Sequence, residues 1–140
     1  MVVVDASVVA ALFVADDRQE EVHARMTRWI RDAEPLHAPS VLPYELSNVL
    51  ARQSFDGLLN QDDVTQIWAD VTQLGIALHP FDPILDGSAV AAITSPLRRR
   101  HAADSHYIWI AQLLGTVVWT LDAKLARNAA SVGLPVALLA

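Results

Sequence analysis

Cysteine is absent from the 140 residues, which excludes a disulfide framework, a thiolate metal site and a cysteine nucleophile. Positive charge is the minority sign: 10 Lys and Arg stand against 16 Asp and Glu, a formal net charge of −6. The overall field therefore repels polyanions, and any nucleic-acid contact has to come from a local basic patch. Long apolar runs are missing too. The opening "MVVVDASVVAALFV" lacks a basic flank, is interrupted by Asp5 and is too short to span a bilayer. No other segment reaches about 18 uninterrupted apolar residues. The expectation is a soluble cytoplasmic protein with no membrane association.

What is present suits a packed globule. Hydrophobic residues make up 53% and charged residues 19%, outside the range of disordered chains. The length fits one domain over residues 1–140 with a single core.

Short apolar, strand-like runs fall at residues 2–4, 36–38, 76–78, 116–121 and 136–139. Between them lie segments with helical spacing. Ser7 is the natural cap of a first helix over residues 8–14. A second covers residues 17–33, with acids at its positive end. Ser40 and Pro43 announce a third, closed by Gly57. Asp62 and Asp63 open a fourth that ends at Gly75. A fifth runs from Asp82 to residue 94 and is stopped by Pro96. "HAADSHYIWIAQLLG" is a sixth, ended by Gly115, and Asp122 opens a seventh that ends near Gly133. Alternation of this kind predicts an α/β fold: a mainly parallel sheet joined by right-handed crossovers, with helices on both faces. Ligands of such sheets bind beyond the carboxyl ends of the strands.

Four acids occupy strand ends or helix starts. Asp5 follows the first strand, where a turn or cap role competes evenly with a functional one, and Ser7 leaves it free to point elsewhere. Asp122 stands before "AKLARNAA" as a good N-cap, with the Thr120 hydroxyl on the same face of its strand. Glu45 lies in a first helical turn, where a carboxylate matches the dipole, on a flank shared with Asn48 and Arg52. Asp104 shares a face with Tyr107, Ile108 and Ala111, and a carboxylate on an apolar face is costly unless paired, protonated or bound to metal. In a parallel sheet these positions gather at one edge. Four ionised carboxylates there repel one another, and a divalent cation removes the penalty. Mg²⁺ or Mn²⁺ is the expected cofactor, because both prefer oxygen ligands, and the chemistry that fits is phosphodiester hydrolysis.

At these residues the chain resembles the PIN-domain nucleases, and among them the VapC-type toxins of bacterial toxin–antitoxin pairs. The matching segments are "VVVDAS", "APSVLPYELSNVLAR", "AADSHYIWIA" and "TLDAKLARNAASVGLPV", which together cover the chain in the family's order. The resemblance implies a five-stranded, mainly parallel sheet flanked by helices, and an Mg²⁺ or Mn²⁺ site. It also implies endoribonuclease activity on an RNA substrate, inhibition by a cognate VapB-type antitoxin, and a homodimer. Carried over by position, Asp5, Glu45, Asp104 and Asp122 become the catalytic, metal-binding acids. Ser7, Asn48 and Thr120 become supporting residues that orient carboxylates or waters. "SHYIWIA" departs from the resemblance by being bulkier than an alanine-rich run, which affects helix packing and cleft width.

Arg98, Arg99, Arg100 and His101 immediately precede the Asp104 helix. Such a run is commonly a solvated surface, but beside an acidic edge it is read here as positioning phosphate, with Lys124 and Arg127 extending the patch. His106 is a weaker candidate for the same patch. The four tryptophans are unclustered and are read as core or interface residues rather than base-stacking platforms. The helix around "TRWIRDA" is a candidate antitoxin or dimer surface. "ASVV" where an acidic partner should follow Asp5, and Lys124 beyond Asp122 rather than at a strand end, argue against a receiver domain, and Ser7 where a second Asp should stand argues against a haloacid-type phosphatase. Two alternatives stay open: a non-catalytic antitoxin-binding module whose acids are only caps, and a nuclease directed at DNA.

Overall fold

The structure, a computed structural model, describes residues 1–140. Strand β1 (Val2–Val4) is buried throughout and hydrogen-bonded on both edges. A strand covered on both faces has no place for a polar side chain, which is why three successive valines form it. Its neighbours are β2 (Leu36–Pro39) on one side and β4 (Val118–Thr120) on the other, with Val3 opposite both His37 and Val118. The outer strands are β3 (Ala77–His79) and β5 (Val136–Leu138), giving a five-stranded, all-parallel sheet in the order β3-β2-β1-β4-β5. The more exposed β3 sits at an edge, where its outer side is not covered by another strand.

Seven helices fill the crossovers: α1 (Ala6–Ala11), α2 (Gln19–Arg31), α3 (Leu42–Phe55), α4 (Gln61–Gln73), α5 (Pro83–Leu97), α6 (Ala103–Leu114) and α7 (Ala123–Ser131). Helix α1 packs on α2 and α3, while α5 packs on α6 and α7, so the two groups cover opposite faces. A single core cluster of 28 buried residues joins both layers through the sheet, including Leu46, Leu50, Leu97 and Ile108. No helix is long and apolar enough to cross a membrane. Trp29 is buried in the core, and Trp68, Trp109 and Trp119 pack against it, as their scatter in the sequence suggested. The Trp29 and Trp119 rings lie 5.8 Å apart, so Trp29 of "TRWIRDA" faces inward and Ile30 is the exposed apolar residue there.

Two helix boundaries differ from expectation, each for a local reason. The first helix begins at Ala6, and its cap is Asp5, not Ser7: Asp5 Oδ1 accepts the Val8 N–H at 3.2 Å. Ser7 is already helical, and its hydroxyl points back to the same carboxylate oxygen. The fifth helix passes through Pro96 and ends at Leu97, with Arg98 left-handed at φ 56°. Pro96 has no N–H for the Ala92 carbonyl and its ring crowds that carbonyl, and the helix stops one residue later.

Strands β1 and β4 are where the sheet reverses its winding. From β1 the chain proceeds towards β2 and β3, and from β4 it proceeds to β5 on the other side. That reversal opens a crevice beyond the carboxyl ends of β1 and β4. Asp5 and Asp122 are the residues that follow β1 and, after Leu121, β4.

Candidate active site

Asp5, Glu45, Asp104 and Asp122 line one cavity of about 130 Å³ in that crevice, together with Ala6, Ser7 and Tyr107. Each arrives from a different element. Asp5 leaves β1 with an extended backbone, its N–H donating to the Trp119 carbonyl at 3.2 Å, which aligns it with β4. Asp122 has the equivalent position after β4 and caps α7 by accepting the Leu125 N–H at 2.9 Å. Glu45 stands in the first turn of α3 and Asp104 in the first turn of α6.

Asp5 is the most enclosed, 7% exposed. Burial pushes its carboxyl up to about 6, against the lowering pull of the Ser7 and Thr120 hydroxyls and the Val8 N–H. Ser7 serves two partners: its hydroxyl donates to Asp5 Oδ1 and accepts the Leu121 N–H at 3.0 Å, tying α1 to β4. Thr120 is fully buried and accepts the Asp122 N–H at 3.0 Å, fixing the turn that aims Asp122. Asn48 lies one turn beyond Glu45 on the exposed side of α3.

Burial also raises Glu45, helped by the nearby charge of Asp104 and opposed by a hydrogen bond from Tyr107. That bond, Tyr107 hydroxyl to Glu45 Oε1 at 2.6 Å, comes from a residue that sequence reading placed only among the buried neighbours of Asp104. The signal was available, because a buried tyrosine needs a partner for its hydroxyl and Tyr107 is one turn from Asp104 on the same face. It accounts for part of the bulk in "SHYIWIA", and Trp109, whose indole N–H donates to Asp86 at 2.9 Å, accounts for more.

Burial raises Asp104 as well, with Arg99 pulling it down and Asp122 pushing it up. At Asp122 burial is outweighed by the Leu125 N–H and by Arg99, and the carboxyl falls below its usual value. Of the arginine run, Arg99 alone reaches the acids. Its guanidinium lies 3.1 Å from Asp122 through Nη2 and 3.5 Å from Asp104 through Nε. Arg98, Arg100 and His101 are exposed, as are Lys124 and Arg127 on α7, so the remainder of the basic patch is a rim and not part of the cavity. His106 turns away from the acids and packs edge-on against Phe81 at 5.0 Å.

The donor set is all oxygen and strongly negative, as hard divalent cations require. As the side chains stand, no three of them converge on a common point. The carboxylates of Asp104 and Asp122 are spanned by the guanidinium instead.

A family model described as "PIN domain" matches residues 2–131. The chain belongs to the PIN-domain family. Within the family it is similar to proteins named Ribonuclease VapC3. One, from Pyrobaculum aerophilum, is 29% identical over 128 residues, covering 90% of this chain and 92% of the relative. Another, from Mycobacterium tuberculosis, is 30% identical over 127 residues, covering 90% and 85%. With these relatives the chain is a VapC-type PIN nuclease. The fold agrees with two solved structures: FitAB bound to an IR36 DNA fragment, with a TM-score of 0.70 at 20% identity over 99% of this chain and 95% of that one, and PAE2754 from Pyrobaculum aerophilum, with a TM-score of 0.66 at 23% identity over 90% and 77%.

Proposed function

We propose that this PIN-domain protein is an Mg²⁺- or Mn²⁺-dependent endoribonuclease, acting in the cytoplasm as the toxin of a toxin–antitoxin pair, neutralised by a cognate VapB-type antitoxin, and working as a homodimer. The observation that carries the catalytic reading is the gathering of Asp5, Glu45, Asp104 and Asp122 around one cavity at the point where the sheet reverses. The VapC3 relatives support the substrate class and the antitoxin.

Asp5, Asp104 and Asp122 would hold the ion, with Ser7 and Thr120 fixing the orientation of their carboxylates. A bound Mg²⁺ or Mn²⁺ supplies charge to the scissile phosphate and acidifies water at neutral pH. Glu45 takes the proton of the attacking water, a task for which a carboxyl raised above its usual value is suited. The Tyr107 hydroxyl holds Glu45 in place for that transfer. Water attacks phosphorus in line with the departing 3′-oxygen, so the ribose 2′-hydroxyl takes no part. The products are a 5′-phosphate and a 3′-hydroxyl, and RNA is selected by recognition and not by the chemistry. Arg98, Arg100, Lys124 and Arg127 line the rim as phosphate contacts.

Purified protein freed of antitoxin is incubated with total RNA and, separately, with single-stranded DNA, with Mg²⁺ or Mn²⁺ and then with chelator, beside Asp104→Asn. Discrete RNA fragments ending in 5′-phosphate, lost with chelator and in the variant, are the expected result. Fragments ending in 2′,3′-cyclic phosphate would overturn the water mechanism. Cleavage of DNA alone would overturn the substrate, and no cleavage by a folded protein that also binds no Mn²⁺ would leave an antitoxin-binding module.

A further inference from the structure

Four carboxylates line the cavity, and one cation of the chain itself, Arg99, stands against two of them. Arg99 is 18% exposed at its side chain, its Nη2 donates to Asp122 Oδ2, and its Nε faces Asp104 Oδ2 at 3.5 Å. That Nε is buried with no hydrogen-bond partner. A buried N–H left without a partner is costly, and in this cavity it lies just beyond bonding distance of a carboxylate. The guanidinium is thus held by charge in a place where it is not fully satisfied. It also bridges the two acids that would share an ion, and no three acids of the site converge on a common point.

We infer that Arg99 is a displaceable counter-cation: it neutralises Asp104 and Asp122 in the metal-free protein, and a divalent ion must expel it before those carboxylates can close on the ion. This rests on the metal-dependent reading above. The stretch that carries it is suited to such a movement. Arg99 lies between the left-handed Arg98 that ends α5 and the start of α6, with no regular hydrogen-bonding of its own to break. Loading and release are then two sides of one exchange, guanidinium for metal. A phosphate anion entering beside the cavity gives the freed guanidinium a new partner, because arginine pairs with phosphate through the same fork that it offers to carboxylate. RNA and metal therefore favour each other's binding through Arg99, and by linkage the effect is reciprocal.

The test is titration calorimetry with Mn²⁺ alone, on the wild type, Arg99→Gln, Arg99→Lys and Arg31→Gln, each first checked by circular dichroism and melted without metal. Arg31→Gln removes the same charge from the exposed surface of α2 and controls for net charge. The expected result is that Arg99→Gln binds Mn²⁺ about fivefold or more tightly than wild type, as coupled sites commonly show, and melts lower without metal. Arg31→Gln should match the wild type. A short non-cleavable oligonucleotide should raise the Mn²⁺ affinity of the wild type by a larger factor than that of Arg99→Gln, because only the wild type adds the guanidinium exchange to the direct contact between phosphate and ion. Equal or weaker Mn²⁺ binding by Arg99→Gln would overturn the inference and leave the metal-dependent nuclease intact. Absence of Mn²⁺ binding in every protein would overturn both. If Arg99→Gln does not fold, Arg99→Lys decides: a shorter reach to the two acids should also bind Mn²⁺ more tightly than wild type, and unchanged affinity would count against displacement.

Discussion

Helices α5 and α7 begin in nearly the same way and lead to different ends. Asp82 and Asp122 each have an extended backbone, and each offers one carboxylate oxygen to an N–H of the first turn, Ile84 and Leu85 in one case and Leu125 in the other. Asp82 follows the edge strand β3 and faces solvent, and Asp86 of its own helix returns the favour by accepting the Asp82 N–H at 2.8 Å. Asp122 follows β4, beside the reversal of the sheet, and its other oxygen faces Arg99. A cap and a metal ligand ask for the same backbone position, at the end of a strand and the start of a helix. What separates them is where the strand lies in the sheet and what else arrives there. Asp5 sharpens the point, because it caps α1 and lines the cavity with one carboxylate.

The largest effect expected from this contrast is on activity. Asp5→Asn and Asp104→Asn should each lower RNA cleavage by more than about a hundredfold, beyond the 10–100-fold typical of residues that only orient metal ligands. Asp82→Asn should leave the rate within about twofold. Initial rates on one RNA substrate at saturating Mn²⁺ decide it, and an active Asp5→Asn would reduce Asp5 to a cap of the kind that Asp82 is.

This is also where the limits of the sequence lie. Strand β1 was legible because a strand buried on both faces permits few residues besides aliphatic ones. The four acids were legible as a set, since the fold brings strand ends and helix starts to one edge. Their individual duties were not. Ser7 satisfied every local rule for a cap, yet the helix started a residue before it, because the Asp5 carboxylate could accept both the Val8 N–H and the Ser7 hydroxyl. Tyr107 reaches Glu45 across 62 residues of sequence and Arg99 reaches Asp122 across 23, and such contacts depend on how helices pack and not on any local pattern. The arginine run illustrates this well: three identical neighbours, of which the chain's path turns only the middle one inward.

The second contrast lies in stability. Asp5 has its carboxyl raised to about 6 by burial, above the 3.8 of an exposed aspartate. A folded acid with a raised value holds a proton that the unfolded chain has already released. Stability without metal therefore falls as pH climbs from about 4 to about 6, and levels off above that, at a cost of about 3 kcal/mol from this residue at 1.36 kcal/mol per unit. Glu45 and Asp104, also raised, act in the same direction. Asp5→Asn keeps an oxygen for the Val8 N–H without the charge, so it should be more stable than wild type at pH 8 and close to it at pH 4. Urea unfolding at the two values, with chelator present, checks this. A variant less stable at both would show that the Asp5 charge is well compensated in the fold. Mn²⁺ should cancel the pH dependence of the wild type and leave the variant unmoved.

The smallest effect belongs to the solvent-facing member of the pair. Asp82→Ala removes the acceptor for the Ile84 and Leu85 N–H groups at 2.9 and 3.2 Å, and these can turn to water instead. Loss of an exposed cap costs about 1 kcal/mol. The value should be independent of Mn²⁺, because nothing at the start of α5 lines the cavity. Asp122→Ala removes the same kind of cap, yet it also releases Arg99 from one of its two carboxylates. Its effect on stability should therefore change when Mn²⁺ is added, whereas that of Asp82→Ala should not. The difference between the two variants, measured with and without the ion, separates the part of Asp122 that holds a helix from the part that faces the cavity. If both respond alike, capping is all that Asp122 does.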